Sequence, residues 1–166
     1  MRFVSVIMGS KSDYEIMRHC LQVLESFAVP YEVIISSAHR SPNRTKDYVK
    51  EAESKGAVVF ICAAGMAAHL AGAVCAQTLK PVIGIPLIGG ALDGLDALLS
   101  TAQMPSAMPV ACMAIGKAGA INAAYLALQI LATSDENLAK KLLEERVKKA
   151  QQLEQDSKTI EVRLSN

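Results

Sequence analysis

The chain has 166 residues, 51% hydrophobic and 20% charged, with 17 Lys and Arg against 16 Asp and Glu for a formal net charge of +1. This is the make-up of one apolar globular domain with a sizeable core, and it argues against a disordered chain, a polybasic nucleic-acid binder or a binder of anionic membranes. Aromatics amount to 4% with no Trp, so no base-stacking platform is expected either.

Cys20, Cys62, Cys75 and Cys112 lie far apart in apolar segments, with no C-x-x-C and no Cys/His pair at ligand spacing. Neither a zinc site nor a disulfide framework is expected, and the thiols read as reduced and buried in a cytoplasmic protein. Met1 to Val4 runs straight into a strand, so no signal peptide is expected. The apolar region from Phe60 to Leu92 is broken by Gly65, Gly72, Pro81 and Pro86 and carries His69 and Lys80. It is not a membrane span.

Phe3 to Met8 reads as a buried strand. Gly9-Ser10-Lys11-Ser12-Asp13 turns into a helix, with Ser12 and Glu15 spaced as a capping box and Met17, Leu21, Leu24 and Ala28 as the core face. Tyr31 to Ser36 is a second strand, followed by the turn Ser37-Ala38-His39-Arg40 and a helix from Pro42 to about Lys55. Pro at the first helical position and Gly56 at the end frame that helix. Val58 to Ala63 is uniformly apolar, as a parallel strand covered on both faces should be. Ala64-Gly65-Met66 leads from it into a helix of small residues, about Ala67 to Leu79, with His69 in its first turn. A fourth strand spans Pro81 to Pro86; its exit loop, Leu87 to Asp93, contains Gly89-Gly90 and opens a short helix near Gly94 to Thr101. Pro109 to Ala114 is a fifth strand, and Gly116-Lys117-Ala118-Gly119 opens an alanine-rich helix to about Ala132. A charged helix from Ser134 or Asp135 to about Asp156 and a tail, Ser157 to Asn166, complete a single domain whose α/β core is about 1–133.

Strand and helix alternate with short connections, which gives a three-layer α/β/α sandwich around a parallel sheet. Five strands suggest the flavodoxin-like order 2-1-3-4-5, with its ligand crevice between strands 1 and 3. The exits of strands 1, 2 and 3 would then share one edge.

Those exits carry compatible chemistry. The Ser10-Lys11-Ser12-Asp13 turn sets hydroxyls, a cation, a carboxylate and backbone N–H groups at a helix start, which suits phosphate, with Asp13 free for sugar hydroxyls. Arg40 supplies a fork for phosphate, and a histidine such as His39 can exchange a proton near neutrality. Gly65 permits close approach of a flat ligand, while His69 reads equally as a ligand group or as a satisfied core histidine. There is no P-loop, no G-x-G-x-x-G after strand 1, no G-x-S-x-G elbow, and the strand ends lack paired carboxylates. The residues alone point to a cofactor-free isomerase or lyase acting on a sugar-phosphate derivative.

Met8-Gly9-Ser10-Lys11-Ser12-Asp13, Ser37-Ala38-His39-Arg40, Ala64-Gly65-Met66-Ala67-Ala68-His69-Leu70, Gln103-Met104-Pro105 and Ala114-Ile115-Gly116-Lys117-Ala118-Gly119 stand in the order and spacing of one family. In these stretches the chain resembles the N5-carboxyaminoimidazole ribonucleotide mutases of purine biosynthesis, over about residues 3 to 133. The resemblance implies a flavodoxin-like fold, a homo-octamer, and no metal or organic cofactor. It implies that Ser10, Ser12, Asp13, Ser37 and Arg40 hold the ribose phosphate, that Ala38 also binds substrate, and that His39 is the acid/base. Gly65, Ala67, His69 and Leu70 would line the aminoimidazole and carboxylate region.

The chain departs from the family at several positions. Met66 and Ala71 stand where a Gly and a Pro are more common, Gly89-Gly90 where small polar residues are usual, and Ser106-Ala107 where glycine is common. The sister class, direct aminoimidazole ribonucleotide carboxylases, usually has Arg-Ser-Asn where this chain has Ala67-Ala68-His69, so His69 favours the mutase. A flavin mononucleotide carrier and a non-catalytic ligand sensor on the same fold stay open as alternatives; the ligand loops offer no aromatic to stack on a flavin. In the last helix Leu138, Leu142, Leu143, Val147 and Leu153 form an apolar stripe, which fits either its own domain or a neighbouring subunit.

Overall fold

A computed structural model describes residues 1–164. Five parallel strands, β1 Phe3–Met8, β2 Tyr31–Ile35, β3 Ala57–Gly65, β4 Val82–Leu87 and β5 Ala111–Cys112, pair in the order β2-β1-β3-β4-β5. This is the flavodoxin-like order expected from the alternation of elements. The helices are α1 Tyr14–Ser26, α2 Pro42–Lys55, α3 Leu70–Cys75, α4 Leu95–Ala102, α5 Lys117–Ala132 and α6 Glu136–Ile160.

The two-residue period of a strand divides the core into two layers. Val4, Val6 and Met8 of β1, Val59, Ile61 and Ala63 of β3, and Ile83 and Ile85 of β4 face Met17, Leu21 and Leu24 of α1 and the alanines of α5. The intervening residues Ile7, Phe60 and Cys62 face Val49 and Ala52 of α2 and Leu70, Ala71 and Val74 of α3. Ser5 is the polar exception on that second face; its fully buried hydroxyl pairs with Tyr48 Oη at 2.9 Å. Cys20, Cys62 and Cys75 are buried and Cys112 half-buried, all as free thiols, and burial pushes the Cys20 thiol up to about 12.

Gly84 shows how tightly the second layer is filled. A Cβ there would meet Thr101 Cγ2 at 2.4 Å, with Ala71 Cβ and Val110 Cγ1 each at 3.1 Å. Thr101 cannot turn away without breaking the 2.7 Å bond from its hydroxyl to the Ala97 carbonyl. Gly84→Ala is therefore expected to cost about 2 kcal/mol and to lower Tm by about 6 °C, measurable by calorimetry.

Several boundaries differ from the sequence expectation. The first helix is preceded by a 3₁₀ turn over Lys11–Asp13, and the capping pair is Ser10 with Asp13 rather than Ser12 with Glu15. Ser10 N–H donates to Asp13 Oδ2 at 2.8 Å, while Glu15 pairs with Arg18. Ala28 lies past the helix end at φ +55° and is exposed; Cys20 takes its place in the core face. β5 is two residues long, although Met113 N–H to Gly84 O and Gly116 N–H to Pro86 O, both 2.9 Å, continue its attachment. α6 begins where Asp135 Oδ1 accepts the Leu138 N–H at 3.0 Å, and runs to Ile160 instead of stopping at Asp156. No Gly or Pro intervenes to end it. Only Leu138 of its stripe is fully buried; Leu142 packs partly on the core, and Leu143, Val147 and Leu153 face outward. Of the expected tail, Ser165 and Asn166 lie outside the described residues.

Candidate active site

Parallel register brings the strand exits abreast. Met8 is level with Ile35 of β2 and Ala63 of β3, and Gly65 is level with Leu87 of β4. The exit turns surround a cleft of about 460 Å³ lined by Gly9, Ser10, Ser12, Asp13, Ser37, Ala38, His39, Arg40, Ala64, Gly65, Met66, Ala67, His69, Leu70, Ile88 and Gly89. Every site residue expected from the sequence lies in this wall. A cleft of equal volume between α5 and α6, lined by Met113, Ile121, Tyr125, Leu126 and Glu145, shares no lining residue with it.

The turn that carries His39 and Arg40 is tied down on both sides. Ser36 and Thr45 share a buried 2.8 Å hydrogen bond that fixes the end of β2 to α2. Ser41 N–H donates to the Ser37 carbonyl at 2.8 Å, and the Ser41 hydroxyl donates to the same oxygen at 3.1 Å. The Arg40 amide donates to Ser37 Oγ at 3.2 Å. Local side-chain bonds of this kind hold a turn without help from the sheet. His39 and Arg40 are thus exposed groups on an ordered backbone.

Arg40 reaches across to β1, its Nη2 donating to the Gly9 carbonyl at 3.1 Å. Beside it, Ser10 Oγ and Ser12 Oγ lie 2.6 Å apart. Asp13 Oδ2 accepts the Ser10 N–H, which leaves the other carboxylate oxygen for a ligand. Guanidinium, two hydroxyls and the amides of a 3₁₀ start are groups chemically suited to an anion, with a carboxylate beside them.

The same cleft carries both imidazoles. His39 and His69 meet edge to face, with ring centroids 5.7 Å apart and planes at 75°. His69 is exposed, so the core-histidine reading is excluded. It stands just before α3 instead of within a helical turn, because Ala68 N–H bonds Met66 O and His69 N–H bonds Ala67 O, both 2.8 Å, and the first helical bond is Ala73 N–H to His69 O. α3 ends at Cys75 rather than Leu79: Thr78 Oγ1 donates to Glu53 of α2 at 2.6 Å and accepts the Lys80 amide at 3.0 Å, which pulls the chain off the helix axis.

Gly65 has a packing reason as well as the expected ligand reason. A Cβ there would sit 3.3 Å from the Leu87 carbonyl and 3.8 Å from Gly89 Cα. Met66, Ala64, Ile88, Gly9 and Gly89 line the cleft although the sequence reading did not place them among its ligand residues. Their only signal was position: each stands next to an expected site residue or on the exit of β4.

The sequence profile of the AIR carboxylase family matches residues 3–152. The chain is 51% identical over 143 residues to the N5-carboxyaminoimidazole ribonucleotide mutase of Bacillus subtilis, covering 86% of this chain and 88% of that one. It is 48% identical over 139 residues to the protein of the same name from Escherichia coli, covering 84% and 82%. The crystal structure of Treponema denticola PurE superposes with a TM-score of 0.88 at 26% identity, covering 98% of this chain and all of that one.

Proposed function

The chain belongs to the AIR carboxylase family, and from that premise we propose that it is an N5-carboxyaminoimidazole ribonucleotide mutase with His39 as its acid/base. It is an isomerase of purine biosynthesis: it moves a carboxylate from the exocyclic nitrogen of a ribonucleotide to ring carbon C4. The observation that carries the reading is that one cleft gathers Arg40, Ser10 and Ser12, which suit a phosphate, with the edge-to-face pair His39 and His69.

Ser10, Ser12, Asp13, Ser37 and Arg40 hold the ribose phosphate, Ala38 also binds substrate, and Gly65, Ala67, His69 and Leu70 border the aminoimidazole and its carboxylate. His39 donates a proton to the carbamate nitrogen as the N–C bond breaks, which frees carbon dioxide and leaves the amine. The electron pair at C4 then attacks the carbon dioxide, forming the new C–C bond. His39, now neutral, removes the C4 proton and returns to its starting state. One imidazole shuttles one proton, and atoms and charge balance without an added reactant. Capture at C4 has to outrun the escape of the gas to water.

The test is a choice of substrates. N5-carboxyaminoimidazole ribonucleotide in bicarbonate-free buffer, and aminoimidazole ribonucleotide with bicarbonate, are supplied separately at low concentration while the product is followed by ultraviolet absorbance. Fast conversion of the first alone is expected. Efficient conversion of only the second would make the protein a direct carboxylase and overturn the reading of His69.

The assembly is a homo-octamer working in the cytoplasm. Leu143 and Leu153 of α6 are 63% and 71% exposed in the single chain, an apolar surface that supports α6 at a subunit interface. Four free thiols accord with a reducing compartment, and no helix among the described residues is long and apolar enough to cross a membrane. Light scattering is expected to return the octamer mass; a monomer would overturn the assembly.

A further inference from the structure

Met66 is the one residue of the cleft whose conformation costs stability and whose side chain gives nothing back to the core. Its φ is +56°, a left-handed backbone that a side chain makes unfavourable. The chain is wound tightly behind it, by the successive 2.8 Å bonds from Ala68 to Met66 and from His69 to Ala67. Yet the residue is 59% exposed. A strained residue carrying an exposed apolar side chain into a ligand cleft asks for a role in the cleft.

The thioether lies against the exit loop of β4. A Cβ at Gly89 would stand 3.6 Å from Met66 Cγ, and one at Gly90 would stand 3.6, 3.7 and 4.0 Å from its Cγ, Cε and Sδ. Gly90 is itself at φ +71°. The loop offers backbone where a side chain would stand, and Met66 covers it. Together with Ile88, 67% exposed, it brings apolar side chains to the same cleft that Ser10, Ser12 and Arg40 line. Carbon dioxide has no charge and no hydrogen to donate. Its oxygens are only weak acceptors, so apolar contact and the closing of exits do most to retain it, and an unbranched thioether adapts its shape to whatever lies beneath.

We propose that Met66 is a specificity-determining residue: laid across Gly89-Gly90, it closes the cleft on the β4 side, so that carbon dioxide freed from the carbamate is captured at C4 before it exchanges with solvent. The inference rests on the mutase reading above. In this chain, where Gly89 and Gly90 bring no side chains of their own to that wall, Met66 then decides whether the carboxylate transfer is intramolecular or leaks.

The test measures a ratio within each turnover rather than a rate. N5-carboxyaminoimidazole ribonucleotide is supplied to the full-length protein in buffer containing ¹³C-bicarbonate. The label in the C-carboxylated product and the aminoimidazole ribonucleotide left behind are counted by mass spectrometry, after subtraction of spontaneous breakdown. Wild type is expected to incorporate little label. Met66→Ala is expected to raise both leak products about fivefold relative to total product, with Met66→Leu close to wild type. Met66→Gly, which takes a positive φ without penalty, is expected to fold at least as stably and to leak like the alanine variant. A Met66→Ala leak equal to that of wild type overturns the inference alone. A wild-type protein that does not consume the substrate overturns the mutase reading and this inference with it.

Discussion

His39→Asn is expected to lower kcat about 10⁴-fold while leaving the Kd of the ribonucleotide within about threefold of wild type. The size follows from the double use of one group. In the proposed cycle the imidazole gives a proton in the decarboxylation half and takes one in the carboxylation half, so its removal slows both halves. Asn keeps a hydrogen-bonding group of similar reach but cannot carry a proton between them. The fold should survive, because His39 is exposed and its turn is held by Ser36, Thr45, Ser37 and Ser41 rather than by the ring. Binding should survive because the groups suited to phosphate are other residues. Steady-state turnover with calorimetric titration of aminoimidazole ribonucleotide separates the two effects. Turnover within tenfold of wild type would remove His39 from the chemistry, and a matching loss of binding would make it a positioning residue.

The features legible in the sequence were those written by local physics. β1 was bounded correctly because a run of apolar residues ends at Gly9, and α2 because Pro42 and the left-handed Gly56, at φ +110°, punctuate it. The strand order followed from short right-handed crossovers, and with it the convergence of three exits. What escaped depended on tertiary partners. Ser12 and Glu15 match the capping pattern as well as Ser10 and Asp13 do, and only the tight 3₁₀ turn decides between them. The end of α3 is set by Glu53, twenty-five positions away from Thr78. The cleft wall on the β4 side was missed for a similar reason. Ile88 and Gly89 carry no reactive group, and their membership of the site comes from Gly65 standing level with Leu87. A motif search sees polar chemistry; it does not see the apolar residues that share the cleft with it.

Arg40→Ala is expected to raise KM about 100-fold with kcat changed less than about threefold, the opposite split to His39→Asn. The guanidinium joins two strand exits: Nη2 donates to the Gly9 carbonyl at 3.1 Å, and the Arg40 amide bonds the Ser37 hydroxyl. That places its charge beside Ser10 and Ser12, where the ribose phosphate is proposed to lie. Charge-assisted hydrogen bonds of this kind contribute about 1.5–3 kcal/mol each, and losing the charge together with its fork accounts for about 2.7 kcal/mol in all. The phosphate is equally bound before and after the carboxylate moves, so its loss weakens ground state and transition state alike, which is why KM takes the effect. Arg40→Lys should recover only part of it, because an ammonium cannot bridge Gly9 and phosphate with a planar fork. Inhibition by inorganic phosphate gives an independent readout and should weaken in parallel with KM. If kcat fell instead, with phosphate inhibition unchanged, Arg40 would act on the turn that carries His39 and the anion site would have to be sought elsewhere along the same sheet edge.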